Sequence, residues 1–158
     1  IGEHPQDLQM RMSLADLYAM DKQDARAIAQ YEAVVKADER HVVALNNLAW
    51  SLRKSKPKQA LAYAERANQI APDAASLIDT LAMVLVENGE NQKAQTQIER
   101  ALKLEPNNPG MRLHAAQIRI ALGDTDGAAL ILKSLLGGKG DFAERAEAEA
   151  LLASLKKN

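Results

Sequence analysis

The sequence predicts an all-α fold built from a repeated helix–turn–helix unit, and three observations predict it. The first is the kind of apolar residue present. Hydrophobic residues make up 47% of the 158, but only 3% are aromatic, and 29 Ala with 21 Leu dominate. Both are strong helix formers, while the β-branched and aromatic runs that strands favour are scarce. The second is self-similarity at a fixed interval. Gly89 and Gly123 are 34 residues apart, as are Pro72 and Pro106. Ala60, Ala94 and Ala128 keep that interval, and Ala27 precedes Ala60 by 33. Leu14, Leu48, Leu81 and Ala115 step by 34, 33 and 34, so one residue has been lost at the turn around Ser55-Lys56-Pro57. The third is a helical rhythm inside each unit. Leu77, Ile78, Leu81, Ala82 and Leu85 recur at helical spacing until Asn88-Gly89-Glu90 breaks the run, as Gly does just past a helix end. Ala94, Ile98, Ala101 and Leu102 form a second run, closed at Pro106 and Pro109, where proline forbids continuation.

In chain order, residues 1–7 read as the tail of a preceding unit, because Pro5 stands 34 before Glu39 at the late-proline register. Four units follow at 8–41, 42–74, 75–108 and 109–140. The segment 141–158 reads as a capping helix. Asp141 and Glu144 suit a D-x-x-E capping box, opening a helix through Leu155. Phe142, Leu151, Leu152 and Leu155 lie among Glu144, Glu147, Glu149, Lys156 and Lys157. Such a one-sided helix seals the apolar flank a terminal repeat exposes. The array is expected to end there and to have begun earlier. Ile1-Gly2-Glu3 lacks an initiator Met, which suggests a fragment with any targeting sequence upstream.

This pattern resembles the tetratricopeptide repeat, a 34-residue unit with a small-residue pair in its first helix, a turn Gly, an early Ala in its second helix and a late Pro. The matching residues are Leu14-Ala15, Leu48-Ala49 and Leu81-Ala82; Gly89 and Gly123; Ala27, Ala60, Ala94 and Ala128; and Pro72 and Pro106. Lys22 replaces the first turn Gly, Glu39 replaces the first late Pro, and Gly137-Gly138-Lys139-Gly140 closes the fourth unit without Pro. The resemblance implies a right-handed α-solenoid whose first helices line a concave binding face. The family's groove positions fall on Met12, Asp16 and Met20; on Asn46, Asn47, Trp50, Arg53 and Lys54; on Asp79, Thr80, Met83 and Glu87; and on Leu113, His114, Gln117 and Ile120. From these, the expected partner-binding set is Met12, Asp16, Asn46, Asn47, Trp50, Arg53, Asp79, Met83, Leu113 and Gln117. Trp50, the single Trp, with adaptable Met12 and Met83 on either side, would give the groove an apolar centre. Trp50 equally suits a filler between first helices. Asn46-Asn47 reads either as a holder of peptide backbone through its amides or as solvated helix polarity.

Other function classes are weakly supported. A net charge of −1 argues against a general nucleic-acid binder. Cysteine is absent, which removes thiolate chemistry and cysteine-based zinc sites. His4, His41 and His114 are scattered, with no H-E-x-x-H, G-x-S-x-G or phosphate-cradling loop, so neither an enzyme nor a cofactor is expected. No apolar run reaches the length of a membrane span. The carboxylate clamp by which some relatives hold a chaperone tail needs cations, and its registers here hold Met12, Asp16, Asn47, Ser76 and Thr80, or one unit on, Asn46, Trp50, Thr80, Gly110 and His114. Charge is uneven: Arg40–Arg66 carries net +5 and Ala71–Asn91 net −4. The run Arg53-Lys54-Ser55-Lys56-Pro57-Lys58 is a solvated edge or a contact for a polysaccharide or other polyanion.

A narrower resemblance rests on Val43-Ala44-Leu45-Asn46-Asn47-Leu48-Ala49-Trp50, on Ala64-Glu65-Arg66-Ala67-Asn68-Gln69-Ile70-Ala71-Pro72-Asp73, and on Ile78-Asp79-Thr80-Leu81-Ala82 with Ile98-Glu99-Arg100-Ala101-Leu102. These stretches look like the C-terminal repeats of bacterial lipoproteins of the PEP-CTERM/exosortase system. That likeness implies a periplasmic, outer-membrane-associated scaffold in exopolysaccharide or protein-sorting export. The sequence therefore reads as a non-enzymatic scaffold binding a peptide or helix of a protein partner. Self-association through the N-terminal face is the second reading.

Overall fold

The computed structural model describes residues 5–138 and 141–155. Expectations placed on Ile1–His4, Lys139, Gly140, Lys156 and Lys157 lie outside the described residues. Nine helices and no strands occur among those described: α1 (Pro5–Met20), α2 (Asp24–Ala37), α3 (Val42–Leu52), α4 (Pro57–Ile70), α5 (Ala75–Glu87), α6 (Asn91–Leu104), α7 (Pro109–Ala121), α8 (Thr125–Leu136) and α9 (Arg145–Leu155). Helices α1 to α8 pair as four hairpins. Each packs on the next, and first helices α3, α5 and α7 also touch in sequence.

Small residues set this packing. Ala15, Ala49, Ala82 and Ala116 stand one register apart on the four first helices, and all are 0% exposed. Ala27, Ala60, Ala94 and Ala128 stand in register on the second helices and are likewise buried, at 1% exposed or less. Side chains this small let neighbouring helix axes approach to about 8 Å, the short end of the usual range. Larger residues then fill the remaining space in three core clusters, around Leu45 and Leu48, around Ile78 and Ile98, and around Leu113 and Leu132.

Three of the four hairpin turns close identically. Gln23 N–H donates to Tyr18 O, Glu90 N–H to Leu85 O and Asp124 N–H to Arg119 O, at 2.8, 2.9 and 2.9 Å. This closure needs a left-handed residue just before the donor. Gly89 (φ 76°) and Gly123 (φ 83°) supply it, and Lys22 is forced into it at φ 57°. The shortened second turn closes differently, with Lys56 N–H on Leu52 O at 2.8 Å. Asparagines also staple neighbouring units. Asn68 Nδ2 reaches Leu77 O and Asn88 Nδ2 reaches Pro57 O, both at 2.9 Å.

Residues 5–7 lie within α1, with Asp7 in its first turn, where an acidic residue is favoured. At the other end α9 begins at Arg145, so the Asp141–Glu144 capping box does not form. The Asp141 carboxylate is taken instead by Phe142 N–H at 3.0 Å. The cap still seals the stack: Phe142, Leu151, Leu152 and Leu155 pack on Leu113, Leu132 and Ala148.

Candidate functional site

A groove of about 340 Å³ opens across the first three units and reaches the fourth, lined by Ala19, Tyr31, Asn46, Asn47, Trp50, Ser51, Ser76, Asp79, Thr80 and His114. Asn47, Thr80 and His114 occupy one register on α3, α5 and α7, so the repeat itself sets polar groups in a row along the concave wall. A larger hollow of about 550 Å³ lies against the start of α9, lined by residues 141–149 alone. It gathers no side chains from different units, and its Arg145 already faces Asp141 and Glu149.

At one end of the groove the Tyr31 hydroxyl donates to Asp16 Oδ1 at 2.6 Å. Asn47 Nδ2 donates to the same oxygen at 3.2 Å and to the Tyr31 oxygen at 3.4 Å. Burial first, and then the bond to Asp16, push the Tyr31 phenol up to about 12, so the O–H remains a donor across the physiological range. At the other end, His114 Nδ1–H lies 2.8 and 3.0 Å from the two Asp79 oxygens. Both side chains are largely enclosed, at 18% and 15% exposed.

Trp50 stands between these ends with its ring engaged twice. The Arg53 guanidinium stacks 3.7 Å from the indole centroid and donates to Trp50 O at 2.7 Å. The His114 ring sits tilted 5.7 Å away. Desolvation lowers the Arg53 pKa, opposed by the field of Glu87, Asp24 and Glu147. Thr80 is 6% exposed, a buried polar residue in the groove wall, and no described group hydrogen-bonds its hydroxyl. Asn46 Oδ1 is buried without a hydrogen-bond partner.

Of the sequence-predicted residues, Asn46, Asn47, Trp50 and Asp79 line the groove, with Asp16 and Arg53 at its rim, bonded to Tyr31 and Trp50. Met12 and Leu113 do not line the groove. They are 5% and 1% exposed and belong to the first and third core clusters. Their register is the one Asn46 and Asp79 use for the groove; at the two end units an apolar side chain turns into the core instead. Met83 is 9% exposed and packs in the second cluster, with Trp50 resting against that cluster. Trp50 thus lines the groove without the two expected Met neighbours, which are core residues. Gln117 lies farther along, donating to Glu147 Oε1 at 2.9 Å. Arg53 turns from the basic edge to stack on Trp50, and Lys54, Lys56 and Lys58 remain exposed at the turn.

Tyr31 and Ser51 are groove residues that the register positions miss, whereas Ser76 lines the groove at a register the carboxylate clamp uses. Tyr31 comes from a second helix, and its signal was a lone hydroxyl on the otherwise apolar stripe Ala27-Tyr31-Val34-Val35. No group of three or more His, Asp or Glu suited to a metal occurs among the described residues, and no described helix is long and apolar enough to cross a membrane.

Residues 85–155 match the tetratricopeptide repeat family. None of the curated proteins matches the chain in sequence. Solved structures match over nearly its whole length. A tetratricopeptide repeat protein of Thermus thermophilus, TTC0263, superposes with a TM-score of 0.81 at 21% identity, covering 98% of this chain and 84% of its own. The first repeat domain of Spaghetti (RPAP3), bound to the HSP90 peptide SRMEEVD, superposes at 0.69 with 22% identity, covering 78% of this chain and 98% of its own. YrrB, described as having an unusual peptide-binding site, superposes at 0.64 with 20% identity, covering 93% of this chain and 75% of its own.

Proposed function

Starting from a chain that folds as a tetratricopeptide-repeat solenoid, we propose that it is a scaffold that captures a peptide segment of a protein partner in its concave groove. The observation that carries this reading is the row of polar side chains, Asn47, Thr80 and His114, set by the repeat on three consecutive first helices. Amides and hydroxyls so arranged match an extended backbone, which offers a donor and an acceptor at every residue. The groove is held open by its own bonds before any ligand arrives, which reduces the ordering cost of capture. Asn47→Ala tests it. Peptide retention should fall about tenfold, the loss of roughly one good hydrogen bond, while far-UV circular dichroism stays unchanged. Unaltered retention would move the binding face elsewhere.

A second reading, self-association, draws on α1. Met10, Leu14 and Leu17 form a stripe on one face and are 63%, 39% and 62% exposed. One register on, the equivalents of Met10 in later units are Ala44, Leu77 and Met111, all buried by the preceding hairpin. Val84 and Ile118, equivalent to Leu17, are 0% exposed. A face with this shape accepts another helical hairpin, and a second copy would supply one. Light scattering over a range of concentrations should show association that Leu17→Glu abolishes; a monomer throughout would end this reading. The export-system setting rests on the wording of residues 43–102. Capture of exopolysaccharide-export or sorting components by the full-length protein in its native host would test it.

A further inference from the structure

We infer that the groove selects a cationic, donor-rich side chain, Arg or Lys, on the captured peptide. This rests on the peptide-groove reading above and names the chemistry of its ligand. Unused acceptors stand in the wall of the groove. Thr80 is enclosed and lines the groove, and its hydroxyl has no partner among the described residues. Asn46, in the same groove wall, has its Oδ1 buried without a donor. Leaving the buried Asn46 oxygen unpaired costs about 1–3 kcal/mol, so a ligand that supplies a donor there is favoured, and the Thr80 hydroxyl is able to accept a second.

One carboxylate, Asp79, lines the groove, and a second, Asp16, sits at its rim, bonded to the lining residues Tyr31 and Asn47. Asp16 receives Tyr31 and Asn47 on Oδ1 alone, leaving Oδ2 open to a ligand. Asp79 meets a single nitrogen of His114 with both oxygens, and a carboxylate has about four acceptor positions in all. No Lys or Arg lines the groove. The neighbouring cation, Arg53, is held against Trp50 by its stack and its bond to Trp50 O. An ammonium or guanidinium entering between Asp16 and Asp79 thus finds charge complementarity and several acceptors, the arrangement a guanidinium fork or an ammonium can satisfy. An acidic tail would instead meet Asp79 in the groove and Asp16 at its rim. A sugar ring would need an open aromatic face, and the Trp50 ring is already stacked by Arg53 and flanked by His114.

The test uses the 158-residue chain and three pools of acetylated, amidated nonapeptides, identical except for Arg, citrulline or Glu fixed at the centre. Citrulline keeps the shape of Arg and removes its charge. Binding is read by fluorescence of the single Trp50 and by equilibrium dialysis. The Arg pool should bind about tenfold tighter than the citrulline pool, with the Glu pool weakest, and added salt should narrow the gap. Thr80→Val and Asp79→Asn should each shrink the Arg preference several-fold, and Thr80→Ser should restore it. Equal binding of the Arg and citrulline pools, or a preference for Glu, overturns the cation inference while leaving a peptide groove standing. No binding of any pool overturns both. Retention of the Arg preference in Thr80→Val and Asp79→Asn with helicity intact would place the cation elsewhere and also overturn it.

Discussion

Replacing Tyr31 with Phe isolates the hydrogen bond that ties the second-helix layer to the groove. Tyr31 is 2% exposed, and its hydroxyl donates to Asp16 at 2.6 Å. Phe fills almost the same volume, so the ring keeps its place among Ala27, Val34 and Ala15, and only the polar contact is lost. Its phenol is pushed from the ordinary 10 to about 12, by burial first and by the bond to Asp16 second. The bond itself, to a carboxylate at the solvent edge, is worth about 1–1.5 kcal/mol. The folded state holds the phenolic proton more tightly than the unfolded chain does. The stabilisation is therefore complete below about pH 10 and is lost as pH rises from 10 toward 12. Urea unfolding at pH 8 should show Tyr31→Phe less stable than wild type by about that amount, and the difference should shrink steadily by about pH 11.5. Absorbance in the near ultraviolet should show a phenolate component near pH 12 that the variant lacks. A difference that stays constant across that alkaline range, or a titration curve unchanged by the substitution, would refute the assignment of this bond.

Lys22→Gly should stabilise the chain. The left-handed conformation costs a non-glycine residue about 1–2 kcal/mol, against about 0.4–1 kcal/mol of added unfolded-state entropy for Gly; the net gain is about 0.5–1 kcal/mol, or a rise of about 2–3 °C in thermal midpoint. A fall in midpoint would show that the turn is relaxed as it stands. Trp50→Ala should weaken peptide capture and also lower stability by about 2 kcal/mol, roughly half the cost of a fully buried Trp, because the ring rests on the core around Ile78. An unchanged thermal midpoint would mean that the indole serves the groove alone.

The helices were legible because hydrophobic period, small-residue register and turn glycines all report on backbone geometry that one repeat shares with the next. Ala15, Ala49, Ala82 and Ala116 have one environment since each must touch the same place on its neighbour. The helix ends were less legible, as the competition for Asp141 shows: a capping box and a bond to the adjacent Phe142 N–H draw on the same carboxylate, and spacing alone does not rank them. The groove was legible in part. Register put Asn46, Asn47, Trp50 and Asp79 on the concave side, but it assigned Met12 and Leu113 to the same side because it carries position without chemistry. At a position on the boundary between core and groove, an apolar side chain rotates inward and a polar one outward, so the same register gives Leu113 to the core and Asp79 to the site. Correcting the register by side-chain polarity would have removed both errors. It would not have found Tyr31, whose ring is buried with the core while its hydroxyl reaches Asp16 on another helix, a pairing that only the packing of α1, α2 and α3 creates.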